Sequence, residues 1–259
     1  MIVPKLKGGL GNQMFTIAAA YGKSLDLNTT IAINYGLQHY GGANQGQPPT
    51  DYKDTLFKNI PVTEEMPAAL FLERDWVYAP IPDNDNMIIE GYFQCEKHFE
   101  KHADKVKALW HIPDNVKEKI DKVITKIPKK ILGIHVRLGD FLHYRDAHLI
   151  CTREYYLNAL KQFNLDDYTV IVCTDDPENY QKYISIDNAI LCNSSSELED
   201  LYLLSQSDSL IMSNSTFSWW ASYLGKAKEK VCAPSKWFGP AGPRNYKDIY
   251  RDSWTVISV

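Results

Sequence analysis

From residue 131 to residue 233, short apolar runs alternate regularly with helical segments, and this pattern restricts the possible folds more than any other feature of the chain. The run 131–137 (ILGIHVR) is rich in β-formers, and 169–173 (TVIVC) is apolar throughout, which suits a strand covered on both faces. Further strands are expected over 189–192, 209–212 and 230–233. Between them, 152–163 carries Tyr155, Tyr156, Ala159, Leu160 and Phe163 at helical spacing behind a capping Thr152. Asp176-Pro177 opens a helix to about residue 184, Ser196-x-x-Glu199 is a capping-box spacing before the run 198–206, and 217–224 forms a helix stopped near Gly225. Strand, helix and strand in repeated succession imply a parallel, doubly wound α/β sheet, because each parallel crossover needs a helix to return the chain.

The first half opens the same way, with a strand over 2–6, a tight loop over 8–11, a helix over 13–25 and a second strand over 30–33. A Gly-, Gln- and Pro-rich loop spans 36–52, a third strand is expected over 87–89, and helices over 96–109 and 114–126. Pro113 and Pro128 punctuate this stretch, and the boundary is placed at Pro128. Two α/β lobes are therefore expected, 1–128 and 129–259, with a ligand cleft between them outside the carboxyl ends of the strands.

Composition excludes several classes. A chain that is 44% hydrophobic and 23% charged is not disordered. The net charge, 28 − 32 = −4, supplies no global field to gather nucleic acid. The five cysteines, Cys95, Cys151, Cys173, Cys192 and Cys232, are far apart with no CxxC pair. That spacing argues against a disulfide framework and a Cys-based zinc site, and favours a reducing compartment. The start lacks the apolar core of a signal peptide, and no apolar stretch is long enough to span a bilayer, so a soluble, cytoplasmic protein is expected.

Four segments carry candidate chemistry. In the loop Lys7-Gly-Gly-Leu-Gly-Asn-Gln-Met14, glycines let backbone N–H groups approach an anion. It is half a dinucleotide fingerprint, since Met14 replaces the third glycine and Asn34 stands where an acid belongs. A dehydrogenase reading is correspondingly weak, and a plain tight turn explains the segment nearly as well. His135-Val-Arg137-Leu-Gly139-Asp140 follows a strand and sends His135 and Arg137 to one face. A guanidinium there could hold a diphosphate, with Asp140 accepting a proton, but an Arg–Asp pair closing the turn fits the spacing equally well. Asp175-Asp176-Pro177 lies at a strand end, where an ordinary helix start needs no ligand. Ser213-Asn-Ser-Thr-Phe-Ser218-Trp-Trp220 suits phosphate at a helix N-terminus, or an ordinary cap before an aromatic core helix.

Three other features are set aside. Asp83-Asn-Asp85 resembles a cation-binding DxD but lies in a polar Pro-rich turn, where Asp and Asn occur for backbone reasons. His98 and His102 are four apart, yet HFEKH lacks the zincin glutamate and reads as an exposed helix face. Cys173, within a strand, reads as a small core residue.

The ordered set GGLGNQMF, HVRLGD and SNSTFSWWASYL is more specific than any one block, and it resembles the α-1,2-fucosyltransferases of glycosyltransferase family 11. The resemblance runs from Gly8 to Leu224 and implies a GT-B fold of two Rossmann-like lobes. By resemblance, 1–128 would be the acceptor side and 129–259 the GDP-fucose side. Arg137 would contact the diphosphate and His135 lie near the guanine. Asp200, in EDLYLLSQ, would read the guanine edge, and Ser215 and Thr216 would meet the phosphates. Asp175 and Asp176 would sit near the nucleotide, while Gly9, Gly11 and Asn12 face the cleft. One departure is Leu138, where the family usually carries a second Arg. The implied reaction is inverting transfer of L-fucose from GDP-β-L-fucose to the 2-hydroxyl of a terminal galactose. Arg137 would stabilise the leaving GDP, Asp140 would act as base, and no metal or other cofactor is expected. Partners would be GDP-fucose and a galactose-terminated glycan, with no nucleic acid and no transmembrane segment; peripheral membrane association stays open. Two alternatives remain at this point, a GT-B enzyme with another sugar nucleotide or linkage, and a non-catalytic glycan- or nucleotide-binding protein of the same fold.

Overall fold

The computed structural model describes residues 1–37 and 46–259; most of the first part of the expected 36–52 loop therefore lies outside the described residues. The chain divides into two compact units, one formed by 1–113 with 245–251, the other by 114–244 with 252–259.

The first unit is built from β1 (Ile2–Lys5), α1 (Leu10–Asp26), β2 (Ala69–Leu72), β3 (Met87–Glu90) and α2 (Ala103–Leu109). Its sheet has the order β1-β3-β2 with both pairings parallel. The strand expected over 30–33 reduces to two isolated parallel bridges, Ile31 with Ile2 and Ile33 with Val62. Helix α1 buries Met14, Phe15, Ile17 and the small residues Ala18, Ala19 and Ala20, whose size lets a helix lie close to a sheet. The helix expected over 96–109 is broken. Glu96–His98 and Glu100–His102 are separate 3₁₀ turns, because Phe99 leaves helical geometry (φ −144°, ψ 5°) with its ring fully buried. Lys97, Glu100, Lys101 and Asp104 are exposed as expected, but the His98 ring is not on that face and packs against Tyr78 and Phe93.

The second unit contains α3 (Asp114–Ile124), β4 (Lys130–Val136), α4 (Arg153–Leu160), β5 (Tyr168–Thr174), α5 (Pro177–Tyr183) and β6 (Ile190–Leu191). These are followed by α6 (Glu197–Gln206), β7 (Ser209–Ile211), α7 (Thr216–Tyr223), β8 (Lys230–Pro234) and β9 (Thr255–Ile257). The sheet is wholly parallel in the order β6-β5-β4-β7-β8-β9, so the strand order reverses between β4 and β7. Such a reversal opens a crevice at the carboxyl ends of the two central strands. The expected caps form, with Thr152, Asp176 and Ser196 accepting from the backbone N–H groups of Tyr155, Asn179 and Glu199.

The division falls at Pro113/Asp114 rather than at Pro128, because α3 packs on α6. Lys119 Nζ bonds both Glu199 carboxylate oxygens at 2.8 Å, and Tyr202 donates to Asp121 Oδ1 at 3.1 Å. The segment 245–251 belongs to the first unit. There Asp248 accepts from Tyr78 N at 2.9 Å and pairs with Lys97 at 2.6 Å, while Arg251 bonds Glu96 through Nε and Nη2. The chain then re-enters the second unit as β9, with Trp254 packed edge-on to Trp219. Among the described residues, no helix is long and apolar enough to cross a membrane.

Candidate active site

The site of the second unit starts where β4 ends. His135 is 5% exposed, and its Nδ1 lies 2.8 Å from Ser213 Oγ, just past β7. This bond joins the carboxyl ends of the two strands at which the order reverses. Tyr156 donates to the His135 carbonyl at 3.2 Å, and the Phe217 ring lies 5.2 Å from the imidazole. Burial, with Arg137 adding to it, pulls the imidazole pKa down to about 3, so His135 is a neutral, oriented ring.

Arg137, two residues on, is held by two carboxylates. Nη2 donates to Asp140 Oδ1 at 2.6 Å, and Nη1 lies 3.1 Å from Asp175 Oδ2. Its guanidinium carbon sits 5.4 Å from the centre of the Phe141 ring, which stacks in turn on His148. Asp175 Oδ1 accepts from Leu138 N at 2.9 Å, so one carboxylate binds both the guanidinium and the backbone turn that presents it. Burial pushes the Asp175 carboxyl up, against the opposing pull of Arg137. Gly139 leaves room for this carboxylate, because a Cβ there would come within 2.3 Å of Asp175 Oδ2 and displace it. The Leu138 side chain points into the core, 1% exposed.

His135, Arg137, Asp140 and Asp175 thus form one cluster, joined by Ser213, which the sequence placed in the 213–220 segment without its bond to His135. Ser215 caps α7 through a bond from Phe217 N, and Thr216 is the first residue of that helix. Asn214 supports the junction by donating to the carbonyls of Leu149 and Trp237, both at 2.8 Å. Asp176 is engaged in capping α5, accepting from Asn179 N at 3.1 Å and from Asn179 Nδ2 at 2.6 Å. Asp200 lies beside Cys173 and Cys192. Since Cys173 pairs with His135 across β4 and β5, its side chain shares the His135 face of the sheet.

Residues 70–258 match the sequence profile of Glycosyl transferase family 11. The chain belongs to this family. The alpha-1,2-colitosyltransferase of Escherichia coli is 24% identical over 92% of each chain. The galactoside 2-alpha-L-fucosyltransferase of Caenorhabditis elegans is 26% identical, covering 89% of this chain and 71% of the other. In fold, the family 11 chain resembles the fucosyltransferase NodZ from Bradyrhizobium, with a TM-score of 0.57 at 17% identity over 85% of this chain and 92% of that one. The expected GT-B α/β fold with parallel sheets is borne out.

In the first unit, Gly9 precedes α1, Gly11 lies in its first turn, and Asn12 Oδ1 accepts from Gln94 Nε2 at 2.8 Å. Close packing falls on Gly46, at φ +70°, where a Cβ would meet Gly9 Cα at 2.5 Å. A second group of side chains, not anticipated from sequence, follows the ends of the strands of this unit. Trp76 stacks on Tyr92 with ring centres 5.0 Å apart, and Lys7 Nζ lies 4.6 Å from the Tyr92 ring centre. The Glu73 carboxylate accepts from the backbone N–H groups of Tyr92 and Phe93, fixing Phe93 at φ +49°. Only the placement after three parallel strands brings these residues together, so no local motif announces them. Asp83 pairs with Lys23, and among the described residues neither Asp83 nor Asp85 belongs to a group of three metal-ligand side chains.

Proposed function

We propose that this family 11 member transfers L-fucose from GDP-β-L-fucose, with inversion, to the 2-hydroxyl of a terminal galactose. The observation that carries the reading is the Arg137 fork, oriented by Asp140 and Asp175 at the strand-order reversal. A planar guanidinium matches diphosphate oxygens in pairs. Its bonds would strengthen as charge builds on the departing β-phosphate, which lowers the barrier without a metal. The N–H groups that open α7 at Ser215 and Thr216 would add donors to the same phosphates. His135 would present an uncharged ring to the guanine, and Asp200 would accept from its edge. Asp176 would contribute by fixing the turn at Asp175. The acceptor hydroxyl gives up its proton as the new bond forms, and Asp140 is the carboxylate assigned to take it.

The first unit is assigned to the acceptor, with Gly9, Gly11 and Asn12 in its loop and the Trp76–Tyr92 pair as an apolar platform for a sugar face. The fucosyltransferase relative supports the linkage and acceptor class. A second reading, transfer of colitose to the same hydroxyl, is favoured by the colitosyltransferase relative at similar identity.

The test is an acceptor screen with GDP-fucose, reading the product linkage by NMR, with GDP and UDP as competing nucleotides. An α-1,2-fucosylated galactoside, inhibited by GDP and not by UDP, is expected. Nucleotide binding without GDP release on any galactoside would favour the non-catalytic alternative and overturn the proposal.

A further inference from the structure

Strands β5 and β6 pair in parallel with Ile171 opposite Ile190 and Val172 opposite Leu191, so the next positions along are Cys173 and Cys192. Cys192 N donates to the Val172 carbonyl at 2.8 Å and extends the ladder to this level. Residues opposite one another on neighbouring strands share a face, and both thiols therefore stand on one side of the sheet. Helix α6 adds Asp200, and the two sulfurs and a carboxylate oxygen lie within 4.8 Å of one another. Among the described residues this is the one such grouping of three metal-ligand side chains. The Asp200 carboxyl is held by Ser194 and by both thiols, yet its Oδ1 is buried without a hydrogen-bond partner among the described residues. A buried carboxylate oxygen without a donor is costly, and a cation or an N–H-bearing ligand would relieve it.

We propose that Cys173, Cys192 and Asp200 form a site for a thiophilic divalent cation of the zinc type. Two thiolates and a carboxylate are the soft-plus-hard donor set such ions take, with water completing the tetrahedron. Metal–sulfur bonds of about 2.3 Å put tetrahedral ligand atoms about 3.8 Å apart. The side chains therefore need to close by at most about 1 Å from the observed limit of 4.8 Å. On binding, the two thiols release their protons to solvent and the ion takes both sulfur lone pairs, with no change of oxidation state. Cys173 and Cys192 are 19 positions apart, since 192 − 173 = 19, so a search for closely spaced ligand pairs misses them. The site is not assigned to catalysis. Its consequence rests on the proposed role of Asp200, because a carboxylate held by a cation cannot accept from guanine. The cation is then an inhibitor competitive with the nucleotide.

Cadmium titration of the full chain, in a thiol-free reductant, reads the site directly through the ultraviolet thiolate-to-cadmium band. One saturable ion per chain with a two-thiolate band is expected. Cys192→Ser, at a half-buried position, should remove half the band and weaken binding at least about a hundredfold, more than the loss of an outer-shell partner. Asp200→Asn should weaken binding while keeping both thiolates in the band. Cys173→Ser repeats the first result at the buried position, and a folded Cys192→Ser protein suffices without it. A band unchanged in Cys192→Ser, or no saturable band in the wild type, overturns the proposal. GDP is expected to raise the apparent cadmium dissociation constant in proportion to its concentration. Two-thiolate binding that ignores GDP leaves the cation site standing and removes Asp200 from the guanine.

Discussion

Arg137 shows how one side chain serves two readings that the sequence left equal. The ion pair with Asp140 is real, as the structural reading required, and it also aims the guanidinium. Replacement separates the two contributions. Arg137→Ala is expected to lower kcat by about a hundred- to a thousandfold, and Arg137→Lys to recover little, since an ammonium lacks the planar fork. Melting temperature measured on the same protein decides the matter, and a folded Arg137→Ala enzyme with near-normal kcat would exclude the diphosphate role. A second residue-scale prediction concerns the buried imidazoles. Burial holds His135 at about 3 and His98 at about 4, both below the ordinary value of 6.5. Above pH 6.5 these rings are neutral whether the chain is folded or not, and they contribute nothing. As pH falls below 6.5 the unfolded chain takes up protons that the fold refuses, so stability drops until pH nears their folded values. At pH 5 the loss is about 2 kcal/mol for each ring. Urea midpoints at pH 7 and pH 5 check this, and His135→Gln should flatten the slope by about its share. An unchanged slope in that variant would contradict the assignment.

At the scale of elements, the helix starts of the second unit were readable because capping is local. A side-chain oxygen must reach an N–H two or three residues ahead, and Thr152, Asp176 and Ser196 each do so. Asp176→Ala is expected to lower stability by about 1 kcal/mol, and Asp176→Ser to restore most of it. Donor KM should stay near the wild-type value in Asp176→Ser, and a KM raised tenfold would instead give Asp176 a direct nucleotide contact. What failed at this scale also has local causes. β2 escaped notice because it is four residues long and alternates, with Leu70 and Leu72 facing out. The stretch over 96–109 has helical composition, yet burying the Phe99 ring outweighed backbone propensity and divided it into turns.

At the scale of the molecule, the chain passes between its two units at 113/114, 244/245 and 251/252. The last residues therefore complete the sheet of the second unit, and Trp254, 7% exposed, fastens β9 against Trp219. Trp254→Ala is expected to destabilise by about 3–5 kcal/mol, as large-to-small core changes do, and calorimetry reads it as a large drop in Tm. A drop of only a degree or two would mean that β9 is dispensable. Chelation tests the chemistry of the whole enzyme. With Arg137 and helix N–H groups as the charge-stabilising parts, EDTA is expected to leave turnover largely intact, whereas loss restored by manganese would reopen Asp83 and Asp85. By itself the sequence determined the α/β class, the parallel sheet of the second unit, its helix caps and the HVRLGD turn. All of these follow from short-range rules, hydrophobic period and side chains reaching their own backbone. Only the tertiary structure decided that α3 joins the second unit, that β4 and β7 meet at the reversal so His135 bonds Ser213, and that Cys173 lies against Cys192. Strand order and register are set by which apolar faces bury together across long stretches of chain, and no window of a few residues contains that choice.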